Sequence, residues 1–232
     1  REFVEGEVVF DLGARTLRAE AEGRLTPEAI TPLLERFDAD DVLEICRCFG
    51  GYTSPVRAGG SLAATLSPAG NGKEELRLSL DGDNLAYRGL PVKHFHATLE
   101  WIRDGRERRL TVSPLTAVRD DGRLSCDLVR HPATKVTDLD LRSTLPFETF
   151  AVAMEIEEET AALSNVVFRT APLIAITGRY ASVKSALTTD LRGSLRCEEL
   201  TLRGLPLADV ATDFAVGGKS RFALTNFGAR CG

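Results

Sequence analysis

The chain has no stretch of about 18 consecutive apolar residues, which is what a membrane-spanning helix requires. It has no basic excess: 29 Lys and Arg stand against 34 Asp and Glu, for a formal charge of −5 with both signs interspersed. That balance excludes the electrostatic footprint of a nucleic-acid binder. No Gly-x-Ser-x-Gly elbow and no phosphate-binding loop occurs. The sequence opens on Arg1 rather than Met and is read as a piece of something longer, so the lack of a signal peptide in it carries no information. The five cysteines, Cys46, Cys48, Cys126, Cys197 and Cys231, are odd in number and lack zinc-type spacing. They leave the compartment and any disulfide open. Cys126 and Cys197 fall at apolar positions of alternating runs and are expected to be small core residues.

His94 and His96 have the i, i+2 spacing that puts two imidazoles on one strand face. No Cys, Asp or Glu motif nearby completes a metal shell, so an exposed polar face is the reading. His131, Asp120-Asp121 and Ser125 form no nucleophile–base arrangement. The acidic run Glu155–Glu159 reads as a solvated helix face. No catalytic residue, metal site or cofactor is expected; the chain is not read as an enzyme.

What is present is a duplication. Arg88-Gly89-Leu90-Pro91 recurs as Arg203-Gly204-Leu205-Pro206, about 115 residues later, each between two strand-like runs. Leu85 matches Leu200, Val92 matches Leu207, Phe95 matches Val210 and Leu99 matches Phe214. Gly6 with Asp11-Leu12 is matched to Gly122 with Asp127-Leu128, Leu25 and Ile30 to Leu145 and Phe150, and Gly60 to Gly178. Ala229 to Gly232 resembles the Arg119–Gly122 junction, as though a third unit began there. A fixed long period marks a repeated architecture in which each unit holds several strands. The expected units are 6–121 and 122–231, with 1–5 and 232 continuing into neighbouring units.

Most of the chain alternates with period two, the pattern of a strand with one buried face. Leu76, Leu78 and Leu80 alternate with Arg77, Ser79 and Asp81; Asp81-Gly82-Asp83-Asn84 then reads as a turn. Phe95, Ala97, Leu99 and Trp101 alternate with His94, His96, Thr98 and Glu100. Asp104-Gly105 is a hairpin signal answered by Leu110-Thr111-Val112. Gly59-Gly60 and Gly217-Gly218 read as turns or bulges. Short connections imply an antiparallel meander. One helical insert per unit is expected, near 26–49, starting at Thr26-Pro27-Glu28 and broken at Pro32, and near 146–164. About six strands per unit at ~4.8 Å each make a sheet some 55–60 Å wide, which twists and curls.

The helix start after a Gly-ended strand (Gly23 to Leu34), the Pro-led strand (Pro55 to Gly60), the Arg-Gly-Leu-Pro bend (Leu85 to Trp101) and their second-unit counterparts resemble AsmA-like proteins. These are long bacterial envelope proteins related to TamB and to the bridge-like lipid transfer proteins of eukaryotes. The resemblance implies a mainly β fold, an extended antiparallel meander curled into a U-shaped "taco" groove. It implies a concave apolar face that conducts phospholipid or another acyl lipid between membranes. It also implies a periplasmic, cell-envelope location, with an inner-membrane anchor outside this chain and possible envelope partners.

The groove candidates are Leu76, Leu78, Leu80, Leu85, Tyr87, Phe95, Leu99 and Trp101 in the first unit. In the second they are Leu195, Cys197, Leu200, Leu202, Val210, Phe214, Phe222 and Leu224. The same residues would equally build a closed core. A scaffold assisting outer-membrane protein assembly, and a non-catalytic β-sandwich binding module, are the rival readings.

Overall fold

The computed structural model describes residues 3–25, 56–65, 72–105, 107–154, 165–181, 190–217 and 221–231. The expected first helical insert with Cys46 and Cys48, the Pro55 that leads the expected strand, the acidic run Glu155–Glu159 and the side chain of Phe222 lie outside that description.

The strands are β1 (Phe3–Asp11), β2 (Thr16–Leu25), β3 (Val56–Thr65), β4 (Lys73–Tyr87), β5 (Leu90–Asp104) and β6 (Glu107–Arg119). They continue as β7 (Gly122–His131), β8 (Val136–Ser143), β9 (Val166–Phe168), β10 (Leu173–Ala181), β11 (Asp190–Leu202), β12 (Leu205–Gly217) and β13 (Arg221–Cys231). Helix α1 (Phe147–Met154) follows β8. The fold is a mainly β antiparallel meander that is not closed into a barrel. Its strands pair in sequence order, except that β9 pairs with the end of β11. By contacts the chain divides into Arg1–Ala117 with Val129–Thr134, and Val118–Leu128 with Lys135–Gly232.

The recurrent tetrapeptide is a turn for only half its length. Arg88 and Gly89 have φ of 51° and 77°, and Arg203 and Gly204 have 50° and 83°. Tyr87 pairs with Leu90 and Leu202 with Leu205, so each loop has two residues with positive φ at both. That is the twist-matched hairpin turn in which glycine takes the left-handed conformation without steric penalty. Leu90-Pro91 and Leu205-Pro206 already belong to the returning strands.

The turn expected at Asp81–Asn84 is not there. β4 runs through it unbroken, and the left-handed tolerance is used inside the strand instead: Asn84 has φ 56°. Burial shows the effect. Leu76, Leu78 and Leu80 are buried at even positions, then Leu85 is buried at an odd one. Opposite, Phe95 and Val92 bracket exposed Lys93 and His94. The bend slips the pleat by one residue, so both sides of it keep their large apolar residues on one face. A Cβ built on Gly82 would lie 2.7 Å from Leu85 Cδ1, so Leu85 folds over the glycine. The second unit repeats the slip between the equivalent pairs of buried residues. Cys197 and Leu200 bracket exposed Glu198 and Glu199, while Val210 and Leu207 bracket Asp209, whose φ is 48°. The left-handed residue has changed strands and moved one rung further from the hairpin turn.

Some sequence matches do not survive. The β1–β2 and β7–β8 hairpins correspond through their turns at 12–15 and 132–135, each ending in a left-handed residue, Arg15 (φ 53°) and Lys135 (φ 54°). That frame places Gly6 opposite Cys126 in the alignment, not Gly122. Asp11 ends β1, its Oδ1 accepting the Ala14 N–H at 2.9 Å, whereas Asp127 sits inside β7. Gly59-Gly60 is not a turn but the middle of β3. Pro146 opens α1, its carbonyl accepting the Phe150 N–H at 2.9 Å.

Candidate functional site

Cross-strand partners share a face of a sheet, so the register defines each face row by row. In the first unit one row runs Val8, Ala19, Leu62, Leu76, Trp101 across β1 to β5. The next runs Gly6, Ala21, Gly60, Leu78, Leu99, and the next Val4, Gly23, Ala58, Leu80, Ala97. No polar residue occupies any of these fifteen positions. The fourth row, Phe10, Leu17, Ala64, ends in Glu74 and Arg103, which form an ion pair across β4 and β5.

The two ends of this face differ. Leu76, Leu78, Leu80, Leu85, Phe95, Leu99 and Trp101 are all buried, and Tyr87 is half-buried with the Arg88 guanidinium 5.6 Å above its ring. Toward β1 the face opens. Leu62, Leu17 and Ala19 are half-buried, Ala21 is exposed, and Val4, Val8 and Phe10 are 58%, 69% and 49% exposed. The accessible part of the apolar face therefore lies on β1 to β3, and none of the groove candidates named from sequence is there. The signal was available: Val4, Gly6 and Val8 alternate with Glu5 and Glu7, and Leu17, Ala19 and Ala21 with Arg18, Glu20 and Glu22. Its residues are small, and small residues weigh little in a hydrophobic pattern.

The second unit has rows Leu141, Ile176, Gly193, Phe214, Leu224 and Ser143, Ile174, Leu195, Thr212. Leu141 and Ile174 are buried, while Leu195 and Phe214 are half-buried. Cys197, Leu200, Leu207 and Val210 form a buried cluster beyond the slip, against which Leu195 and Phe168 pack. Phe168 stacks on Phe147 of α1 with ring centroids 4.6 Å apart, so the helix start is tied to this part of the face. Leu202 and Leu224 are exposed. The candidates of this unit are thus divided between a packed core and the sheet's last strands.

The opposite face is polar. Rows Glu7, Glu20, Ser61, Arg77 and Glu5, Glu22, Gly59, Ser79, Thr98 line an open depression of about 640 Å³. Arg77 bridges Glu75 and Glu100 at 2.8 and 3.1 Å. A smaller depression of about 390 Å³, with Thr177, Arg192, Ser194, Asp213 and Thr225, lies on the polar face of the second unit.

His94 and His96 are not free on this face. His94 Nδ1 lies 2.9 Å from Asp83 and His96 Nδ1 lies 2.7 Å from Asp81, each across the β4–β5 ladder. Among the described residues no group of three or more His, Cys, Asp or Glu is placed to hold a metal ion. Cys126 and Cys197 are buried and Cys231 is exposed. Burial, with Asp127 and Asp140 nearby, pushes the Cys126 thiol up to about 12, so it stays protonated and unreactive at neutral pH. Among the described residues no helix is long and apolar enough to cross a membrane.

No protein-family model matches the chain, and no curated protein or solved structure matches it significantly.

Proposed function

We propose that this chain is a lipid-binding segment of an AsmA-like envelope protein, and that acyl chains lie against its apolar face. The observation that carries the reading is the set of rows from β1 to β5 without a polar residue, accessible at the β1–β3 end. A closed core would leave no reason to keep Val4, Val8 and Phe10 apolar while 49–69% of their surface meets water. The small residues Ala19, Ala21 and Gly60 make a low wall with room for a chain to lie on, and Leu62 stands beside them. Burying about ten methylenes there contributes up to ~8 kcal/mol at ~0.8 kcal/mol each, before the ordering cost of binding. Such binding needs no specific polar contact, which fits a site with no chemical motif. Phospholipid or another acyl lipid is the ligand, the periplasm the compartment, and membrane attachment lies with other segments.

Native mass spectrometry of protein purified from a bacterial envelope, with lipid extraction, tests this. Bound phospholipid or fatty acid that is lost in Leu62→Glu and kept in Ser61→Glu supports it. Those two neighbours on β3 point to opposite faces. A wild-type protein that is consistently lipid-free, and that does not take up a fluorescent fatty acid, refutes it.

A further inference from the structure

Nothing in the flanking sequence of His94 and His96 completes a metal shell, but the ladder to β4 brings a carboxylate to each ring. His96 stands opposite Asp81 and His94 opposite Asp83, on successive rungs of the polar face. His96 Nδ1 lies 2.7 Å from Asp81 Oδ1, and His94 Nδ1 lies 2.9 Å from Asp83 Oδ1. An ionised carboxylate only accepts hydrogen bonds, so each Nδ1 carries the hydrogen, and in a neutral ring the lone pair is then on Nε2. Both rings reach solvent, their side chains being 50% and 30% exposed for His94 and His96. The His96 Nε2 has one contact of its own, to the Thr98 hydroxyl at 3.4 Å, which is long for a hydrogen bond. β4 and β5 are interior strands, flanked by β3 and β6.

We propose that His94 and His96 together bind a divalent transition-metal ion through Nε2, with Asp83 and Asp81 standing behind them. Histidine ligands usually donate their other ring N–H to a carboxylate, which fixes the tautomer and makes the ligating nitrogen more basic. Here both members of an i, i+2 pair are prepared in that way. At ~3.4 Å per residue their Cα atoms are ~6.8 Å apart along the strand, and imidazoles leaning together across that gap share one ion at ~2.0–2.1 Å. Leaning costs the long His96–Thr98 contact. The two carboxylates put negative charge behind the rings, and Arg57 of β3, beside Asp81, offsets only part of it. The ion touches two protein groups, and water fills the rest of its shell. Imidazole suits Cu²⁺, Ni²⁺ and Zn²⁺, and affinity should follow the usual order, with Cu²⁺ tightest. Zn²⁺ is held in proteins by three or four side chains, so a site with two fits Cu²⁺ and Ni²⁺ better.

The test is calorimetric titration of the whole chain with Ni²⁺, which leaves thiols unoxidised, each variant being checked for unchanged circular dichroism. The wild type should bind one Ni²⁺ at this site. His94→Gln and His96→Gln keep a donor towards the aspartates but lose the ligating nitrogen, and each should weaken binding at least about tenfold. Asp81→Asn with Asp83→Asn leaves both imidazoles in place and should weaken it by about 10–100-fold, as loss of the groups behind a metal ligand does. Thr98→Val frees the His96 Nε2 and should leave binding unchanged or tighter. His131→Gln, at the one other histidine in the chain, should have no effect. Binding weaker than about 1 mM in the wild type, or a site that survives the loss of either His94 or His96 unchanged, overturns the proposal. So does equal binding in the double aspartate variant, or binding lost in Thr98→Val. None of these readouts depends on lipid, so the outcome is independent of the function proposed above.

Discussion

Replacing Asn84 by valine tests the idea that a left-handed residue inside β4 sets the phase of the strand. Valine favours a regular strand, so if β4 were regular at 84 the change would be neutral or stabilising. Asn84 has φ 56°, and an L-residue without asparagine's local hydrogen bonding pays about 1–2 kcal/mol there. The strand has one escape, which is to straighten and let the pleat run on. That would turn Leu85 and Val92 outward, and they are 3% and 4% exposed. Exposing them costs about 1.5–3 kcal/mol each, more than the strain relieved. The bend should therefore persist and stability should fall by about 1–2 kcal/mol. Asn84→Gly should stay within about 0.5 kcal/mol of wild type, since glycine takes positive φ freely but is poorer in a strand. Urea unfolding followed by fluorescence reads the difference. The single tryptophan, Trp101, is 4% exposed and pairs with Leu76 on β4, so its emission reports this hairpin. Valine as stable as asparagine, or glycine as damaging as valine, would refute the reasoning.

The same pair at Asp209 should behave alike in the second unit, with Asp209→Val losing about 1–2 kcal/mol and Asp209→Gly little, read by thermal unfolding. Gly193→Ala should destabilise by about 1–3 kcal/mol, because its Cβ would sit 2.2 Å from Phe214 Cζ and 2.6 Å from the Ala175 carbonyl; calorimetry decides it. Leu141→Ala, at 1% exposure, should lose about 2–5 kcal/mol, whereas Leu224→Ala at 56% should stay within about 0.5 kcal/mol. In native protein at pH 8 a disulfide reagent should titrate Cys231 quickly and Cys126 only after urea is added. Because the folded Cys126 thiol is held at about 12, above its unfolded value, its contribution to stability is complete below about pH 8.5 and is lost as pH rises towards 12. An alkaline unfolding midpoint unchanged in Cys126→Ser would count against that assignment.

Period-two alternation made β4 through β8 legible, because each strand there buries one face and exposes the other. The hairpins at Arg88-Gly89 and Arg203-Gly204 were legible because two successive positive φ values demand residues that tolerate them. The Asp81–Asn84 segment was misread for the same chemistry: its composition says that left-handed backbone is tolerated but not whether the chain then reverses. Only the ladder to β5, continuous on both sides of Asn84, keeps it going. Early matches such as Gly6 with Gly122 failed because a shared residue type carries no register; the hairpin turns do.

The sequence by itself determined the strand content, the duplicated hairpins and the segregation of apolar from charged positions, since these depend on neighbours two residues apart or on one turn. The tertiary structure decided which strands are neighbours and hence which residues form a row. It also decided that Leu76 to Trp101 are closed from water while the small residues of β1 to β3 are open. Accessibility depends on what packs above a strand, which alternation along that strand does not carry. For that reason the accessible apolar surface of the first unit lies on Val4, Val8, Phe10 and Ala21 rather than on the larger residues of β4 and β5.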